Sequence, residues 1–156
     1  MVHVFGVSSR ICDAKELMRQ LRAFTDREKI FAQAFDPNAV ASERQLLLAH
    51  KLASDAFAEK RNIAKAMEAE VLVRAAATRK IEEAISRVGA KGGNFLLLTD
   101  ADGKKLEALL KMIEGKRKKA AFGGAKAAKL YGVKKLPGYS IEDLILERMA
   151  MLEAEK

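Results

Sequence analysis

Gly92-Gly93-Asn94-Phe95-Leu96-Leu97-Leu98-Thr99-Asp100 is the stretch on which the fold turns. Its apolar run is short, with a glycine pair before it and the turn formers of residues 100–103 after it, and this predicts a buried strand over residues 94–99 rather than a helix. Two further short runs match it. Val2, Val4, Phe5 and Val7 are β-branched or aromatic and read as a strand. Residues 29–35, with Ile30, Phe31 and Phe35, read as another that stops at the turn Asp36-Pro37-Asn38. Nearly everything else carries helical periodicity. The expected fold class is therefore α+β: a single helix-rich domain over residues 1–156 with a small antiparallel sheet.

The helices announce themselves by caps and stripes. Asp13 caps a run over residues 14–23. Ser42-Glu43-Arg44-Gln45 has the form of a capping box and opens a long helix with Leu48, Leu52, Ala53, Ala56 and Phe57 on one stripe. Asn62 is placed to cap a broadly apolar, central helix over residues 63–77, and Thr78 to cap another over residues 79–88, ended by a left-handed Gly89. Leu106, Leu109, Leu110, Met112 and Ile113 mark one more amphipathic helix. Gly115, Gly123 and Gly124 then break up a basic stretch in which mobility is expected near residues 116–126, and residues 130–133 end a short helix. Ser140-Ile141-Glu142-Asp143 is a variant capping box for a terminal helix over residues 140–154.

Size and composition narrow the class. A chain of 156 residues that is 49% hydrophobic suits one domain with a sizeable core. No stretch approaches the roughly 20 apolar residues of a membrane span, and residues 1–10 lack the pattern of a secretory signal, so a cytoplasmic location without membrane contact is expected. One cysteine, Cys12, with only His3 and His50 beside it, leaves no ligand set for a closed zinc site. No metal or cofactor is expected. Nor does the chain carry a nucleophile elbow, a phosphate-cradling glycine motif, a paired-histidine metal motif or a deaminase signature. An enzyme is not expected. Gly92-Gly93 and Gly123-Gly124 read as turns, and Glu68, Glu70, Glu82 and Glu83 as solvated or ion-paired helix faces.

The net charge of +8 is unevenly spread. Residues 1–103 balance at +2, residues 104–135 at +9 and residues 136–156 at −3. The basic segment reads equally as a solvated surface, an aid to solubility or an electrostatic landing site for RNA. Its only aromatics are Phe122 and Tyr131, fewer than a dedicated single-strand binder would show. A second set of cations sits at helix junctions: Lys60 and Arg61 at one, Arg79 and Lys80 at the next. The apolar stripe of the terminal helix, with Leu144, Ile145, Met149 and Leu152, reads first as core and second as a docking face, which its methionines and its Pro137-Gly138 hinge favour.

Residues 34–93 resemble the family of small KEOPS subunits that bind the complex's atypical kinase, the TPRKB-like or PRPK-binding proteins. The likeness lies in the order of pieces: Asn38-Ala39-Val40, Leu47-Leu48-Ala49-x-x-Leu52-Ala53, Arg61-Asn62-Ile63-Ala64, Met67-x-Ala69-Glu70-Val71-Leu72 and Arg79-Lys80-Ile81-x-x-Ala84-Ile85, then the terminal Leu146-Glu147-Arg148-Met149-Ala150-Met151-Leu152-Glu153. The resemblance implies a non-catalytic adaptor in the assembly that installs threonylcarbamoyladenosine on tRNA, binding the kinase subunit and the tRNA 3′ CCA end, with no DNA partner expected. It carries RNA binding onto Arg61 and Arg79, supported by Lys60, Lys80 and Lys91, and kinase docking onto Leu144, Ile145, Arg148, Met149 and Leu152. Where the family commonly has Gly and Gln around the second arginine, this chain has Ala77-Thr78 before it and Lys80 after it. The basic stretch over residues 116–135 is not required by the family pattern. A general RNA-binding protein using residues 104–135, independent of any kinase, is the alternative.

Overall fold

The computed structural model describes residues 1–152 except Gly124, Val133 and Lys135. Its elements are β1 His3–Ser9, α1 Ala14–Glu28, β2 Ala32–Phe35, α2 Glu43–Ala58, α3 Met67–Ala76, α4 Ile81–Val88, β3 Asn94–Thr99, α5 Gly103–Met112, β4 Gly115–Lys118, α6 Ala125–Tyr131 and α7 Ile141–Met151. The class is α+β, as the short apolar runs imply. The residues expected to form one domain gather into two compact units, each built from two stretches of chain. The first comprises Met1–Pro37 and Ala90–Ala121, the second Asn38–Gly89 and Phe122–Lys156.

The first unit holds an antiparallel sheet of order β2-β3-β1-β4. The run 94–99 is indeed a buried strand, with Phe95 to Thr99 sealed from solvent. Its pairing sets Phe5 opposite Leu97 and Val7 opposite Phe95, so one sheet face presents these side chains to Leu17, Leu21 and Phe24 of α1 and Leu109 of α5. Burial of such side chains supplies about 1.5–3 kcal/mol each. Asp13 caps α1 as expected, its Oδ1 accepting from Lys15 N at 3.1 Å. The helix runs five residues past the expected end because Phe24 and Thr25 prolong its buried face, and it stops where Lys29 turns left-handed. The second strand accordingly begins at Ala32, not at residue 29. Residues 115–118 form an edge strand that no apolar alternation foretold; backbone pairing with β1, not side-chain burial, makes it a strand.

The second unit is helical, and three expected caps are corrected there. Ser42 makes no side-chain cap bond; Gln45 is buried, and its Oε1 accepts from Ala41 N at 2.8 Å while its Nε2 donates to Ala75 O and to the Tyr131 hydroxyl. Asn62 does not start a helix at residue 63, because α3 begins at Met67. Its side chain donates to Ala64 O at 2.7 Å, and the Glu70 carboxylate takes the amides of Ile63 and Ala64 at 2.8 and 2.6 Å. Thr78 is likewise not the helix cap: its Oγ1 accepts from Lys80 N, and α4 begins at Ile81. Gly89 is extended rather than left-handed. Glycine is needed there for room, since a Cβ would lie 2.6 Å from Ile85 O. The box at Ser140 forms as expected, with Ser140 Oγ accepting from Asp143 N and Asp143 Oδ2 from Ser140 N.

Candidate functional site

The α3–α4 junction in the second unit is shaped by one left-handed residue. Ala77 adopts φ 55° and ψ 44°; its amide donates to Arg74 O and the Thr78 amide to Val73 O, the paired bonds of a Schellman turn. Glycine is the usual choice there, because a Cβ in this conformation costs roughly 1–2 kcal/mol. The turn reverses the chain so that Arg79 and Lys80 stand exposed at the start of α4.

These two cations border an open cleft of about 530 Å³. Arg87 of α4, Lys129 of α6 and Arg148 of α7 complete its basic lining, with Leu130 and Tyr131 as its apolar part and Glu83 as its carboxylate. Glu83 is paired with Arg87 at 2.6 Å. Arg87 also donates to Ala76 O at 2.6 Å and lies 5.8 Å from the Tyr131 ring centroid, so it braces the walls. The wall carrying Leu130 is pinned from within. The Tyr131 hydroxyl lies 3.0 Å from both Ala39 O and Ala75 O and accepts from Gln45 Nε2, a buried network joining α6 to the ends of α2 and α3. Burial of that hydroxyl raises its pKa, against a smaller lowering by Gln45 and Arg87. With Glu83 paired to Arg87, the lining of Arg79, Lys80, Lys129 and Arg148 gives the cleft a net positive character that suits an anion.

The expected RNA residues are not all gathered here. Arg79 and Lys80 line the cleft; Lys60 and Arg61 stand before α3, whose ten residues span about 15 Å. Lys60 is left-handed, and Arg61 pairs with the Glu59 carboxylate. Lys91 is exposed in the first unit. Sequence reasoning missed Arg87 and Lys129. A signal existed for the first, the i,i+4 pair Glu83–Arg87, but not for the second, one lysine in a basic run.

The docking residues divide by burial. Ile145, Met149 and Leu152 are sealed within the second unit, where α7 packs on α2, α3 and α6, so in this chain by itself these three are core. A helix in a small unit must bury its apolar stripe in its own chain first. Leu144 is half-buried and Arg148 exposed. Both line a smaller cavity of about 290 Å³ with Leu136, Lys134 and Glu147, and Arg148 also lines the basic cleft. Residues 153 and 154 of the expected helix lie outside the described residues, as does Gly124 of the second glycine pair.

Among the described residues no group of histidine, cysteine and carboxylate side chains could hold a metal, and no helix is long and apolar enough to cross a membrane. Comparison with known proteins covers most of the chain. The model of the family described as kinase binding protein CGI-121 matches residues 9–153. The chain is also similar to the regulatory protein Cgi121 of Methanocaldococcus jannaschii, at 29% identity over 127 residues that cover 80% of this chain and 84% of the relative. A match of that extent, over both units and the terminal helix, places the chain in the CGI-121 family of kinase-binding regulatory proteins.

Proposed function

We propose that this protein is a non-catalytic adaptor of the KEOPS assembly, working in the cytoplasm: it holds the atypical kinase subunit and presents a tRNA by its 3′ CCA end for threonylcarbamoyladenosine modification. The observation that carries the RNA half is the cleft, in which Arg79 and Lys80 stand with Lys129 and Arg148 beside Leu130 and Tyr131. Cations take phosphates by charge-assisted bonds, and the apolar part receives a base. Family membership supports the kinase half. Of the α7 residues expected to dock, Leu144 and Arg148 are accessible, and the exposed Leu136 and Met151 add apolar surface near them in the chain.

Two measurements test the halves separately. If about three or four phosphates are neutralised, log affinity for tRNA falls with log salt at a slope of about −2 to −3. The double variant Arg79→Glu/Lys80→Glu then loses most of that affinity, and so does tRNA trimmed of its CCA end; equal binding of trimmed and intact tRNA would falsify the RNA half. On the protein side, Leu144→Asp and Arg148→Glu abolish co-elution with the kinase while the far-UV spectrum is unchanged. Met149→Asp buries a charge in the core and unfolds the second unit instead. Undiminished co-elution of Leu144→Asp/Arg148→Glu removes α7 from the interface.

A further inference from the structure

The first unit carries a second, separate arrangement of cations on its edge strand. Lys116, Arg117 and Lys118 of β4, and Lys119 after it, are all exposed, and none forms a salt bridge among the described residues. Lysines on an edge strand deter edge-to-edge pairing, and that alone would account for bare charge. It does not account for the geometry. Arg117 pairs with Val7 in the antiparallel register, which puts it on the same sheet face as Phe5, two residues along β1. Its guanidinium carbon lies 4.0 Å from the Phe5 ring centroid. The half-exposed His3 ring stacks on the same Phe5, with centroids 5.9 Å apart and planes 27° from parallel. The edge thus presents a column of imidazole, phenyl and guanidinium.

The column is held in place. A Cβ on Gly6 would come within 2.7 Å of Lys119 O and 2.8 Å of Lys118 O, so glycine lets the end of β4 close on β1 beside Phe5. Lys118 reaches across to Asn94 Oδ1 at 2.6 Å, which ties the edge to β3.

We infer that this edge is a single-stranded RNA contact: a base stacks on the half-exposed column of His3, Phe5 and Arg117, and the flanking phosphates lie along the strand edge, where Lys119 and, from the opposite sheet face, Lys116 reach them. Planar stacking partners set among unpaired cations are what an unpaired nucleotide needs. A membrane headgroup or an acidic peptide would use the charge but has no use for the planar stack. This contact does not depend on the cleft of the second unit.

The test uses the full chain carrying Arg79→Glu/Lys80→Glu, so that the cleft is already disabled. Fluorescence anisotropy with a labelled single-stranded RNA of roughly 12 nucleotides is expected to show residual binding. Adding Lys116→Glu/Arg117→Glu/Lys119→Glu weakens it at least about tenfold and flattens the salt slope by about 2, the release expected from three phosphates. Arg117→Lys, which keeps the charge and removes the plane, weakens RNA binding about fivefold and leaves an abasic strand of equal length unaffected. The inference is overturned if the triple variant binds as its parent does. It is equally overturned if abasic and ordinary strands bind alike and Arg117→Lys alters neither, or if phosphatidylserine vesicles bind and RNA does not. Loss of all RNA binding on disabling the cleft alone overturns this contact and leaves the cleft standing.

Discussion

Arg74 Nε donates to Glu70 Oε2 at 2.8 Å with both side chains sealed from solvent, while Glu70 Oε1 holds the amides of Ile63 and Ala64. One carboxylate thus fixes both the first two turns of α3 and the loop that follows Lys60 and Arg61.

Removing that carboxylate takes away the buried ion-pair partner of Arg74 Nε and the acceptor of the Ile63 and Ala64 amides. Glu70→Ala is expected to destabilise the protein by about 3–5 kcal/mol, read as a fall in the urea midpoint. Lys51→Ala, which breaks the exposed pair Lys51–Asp55, leaves that midpoint near the parent value because solvent screens such pairs. Equal shifts for the two variants would contradict the burial of the Glu70 pair.

Tyr131 sets an alkaline limit. Its pKa is raised in the folded state, chiefly by burial, so above about pH 10 the unfolded chain releases a proton that the folded chain keeps. Fewer bound protons in the unfolded state make stability fall as pH rises through that value. Denaturation followed at pH 8 to 11 shows this fall. Tyr131→Phe removes the titration but breaks the network with Gln45, Ala39 and Ala75, at about 1–3 kcal/mol at neutral pH. An identical pH profile in the variant would acquit Tyr131.

The two serine caps are expected to behave differently. Ser140→Ala loses a bond to the Asp143 amide and costs about 1 kcal/mol. Ser42→Ala costs almost nothing, since the buried Ser42 hydroxyl has no hydrogen-bond partner among the described residues. Asp143, held below its ordinary pKa chiefly by its hydrogen bonds with Ser140, contributes above the usual carboxylate range and loses its contribution as pH falls through the depressed value. Thermal denaturation of the two variants at pH 7 and in mild acid separates these effects.

Local chemistry alone determined the class, the buried run 94–99, the Asp13 and Ser140 caps and the cationic character of residues 104–135, because periodicity, capping and charge are properties of neighbours in the chain. Tertiary structure decided the rest. It moved the starts of α3 and α4, since Glu70 outcompetes Asn62 for the amides of residues 63 and 64 and a left-handed Ala77 delays the next helix. It turned Ile145, Met149 and Leu152 inward and left Leu144 half-buried and Arg148 exposed, a choice no helical stripe can make, because a core and a docking face show the same spacing. It also brought Lys129 and Arg148 to Arg79 and Lys80, and Arg117 to Phe5, across as many as 112 positions of sequence, where only packing and strand register set distance.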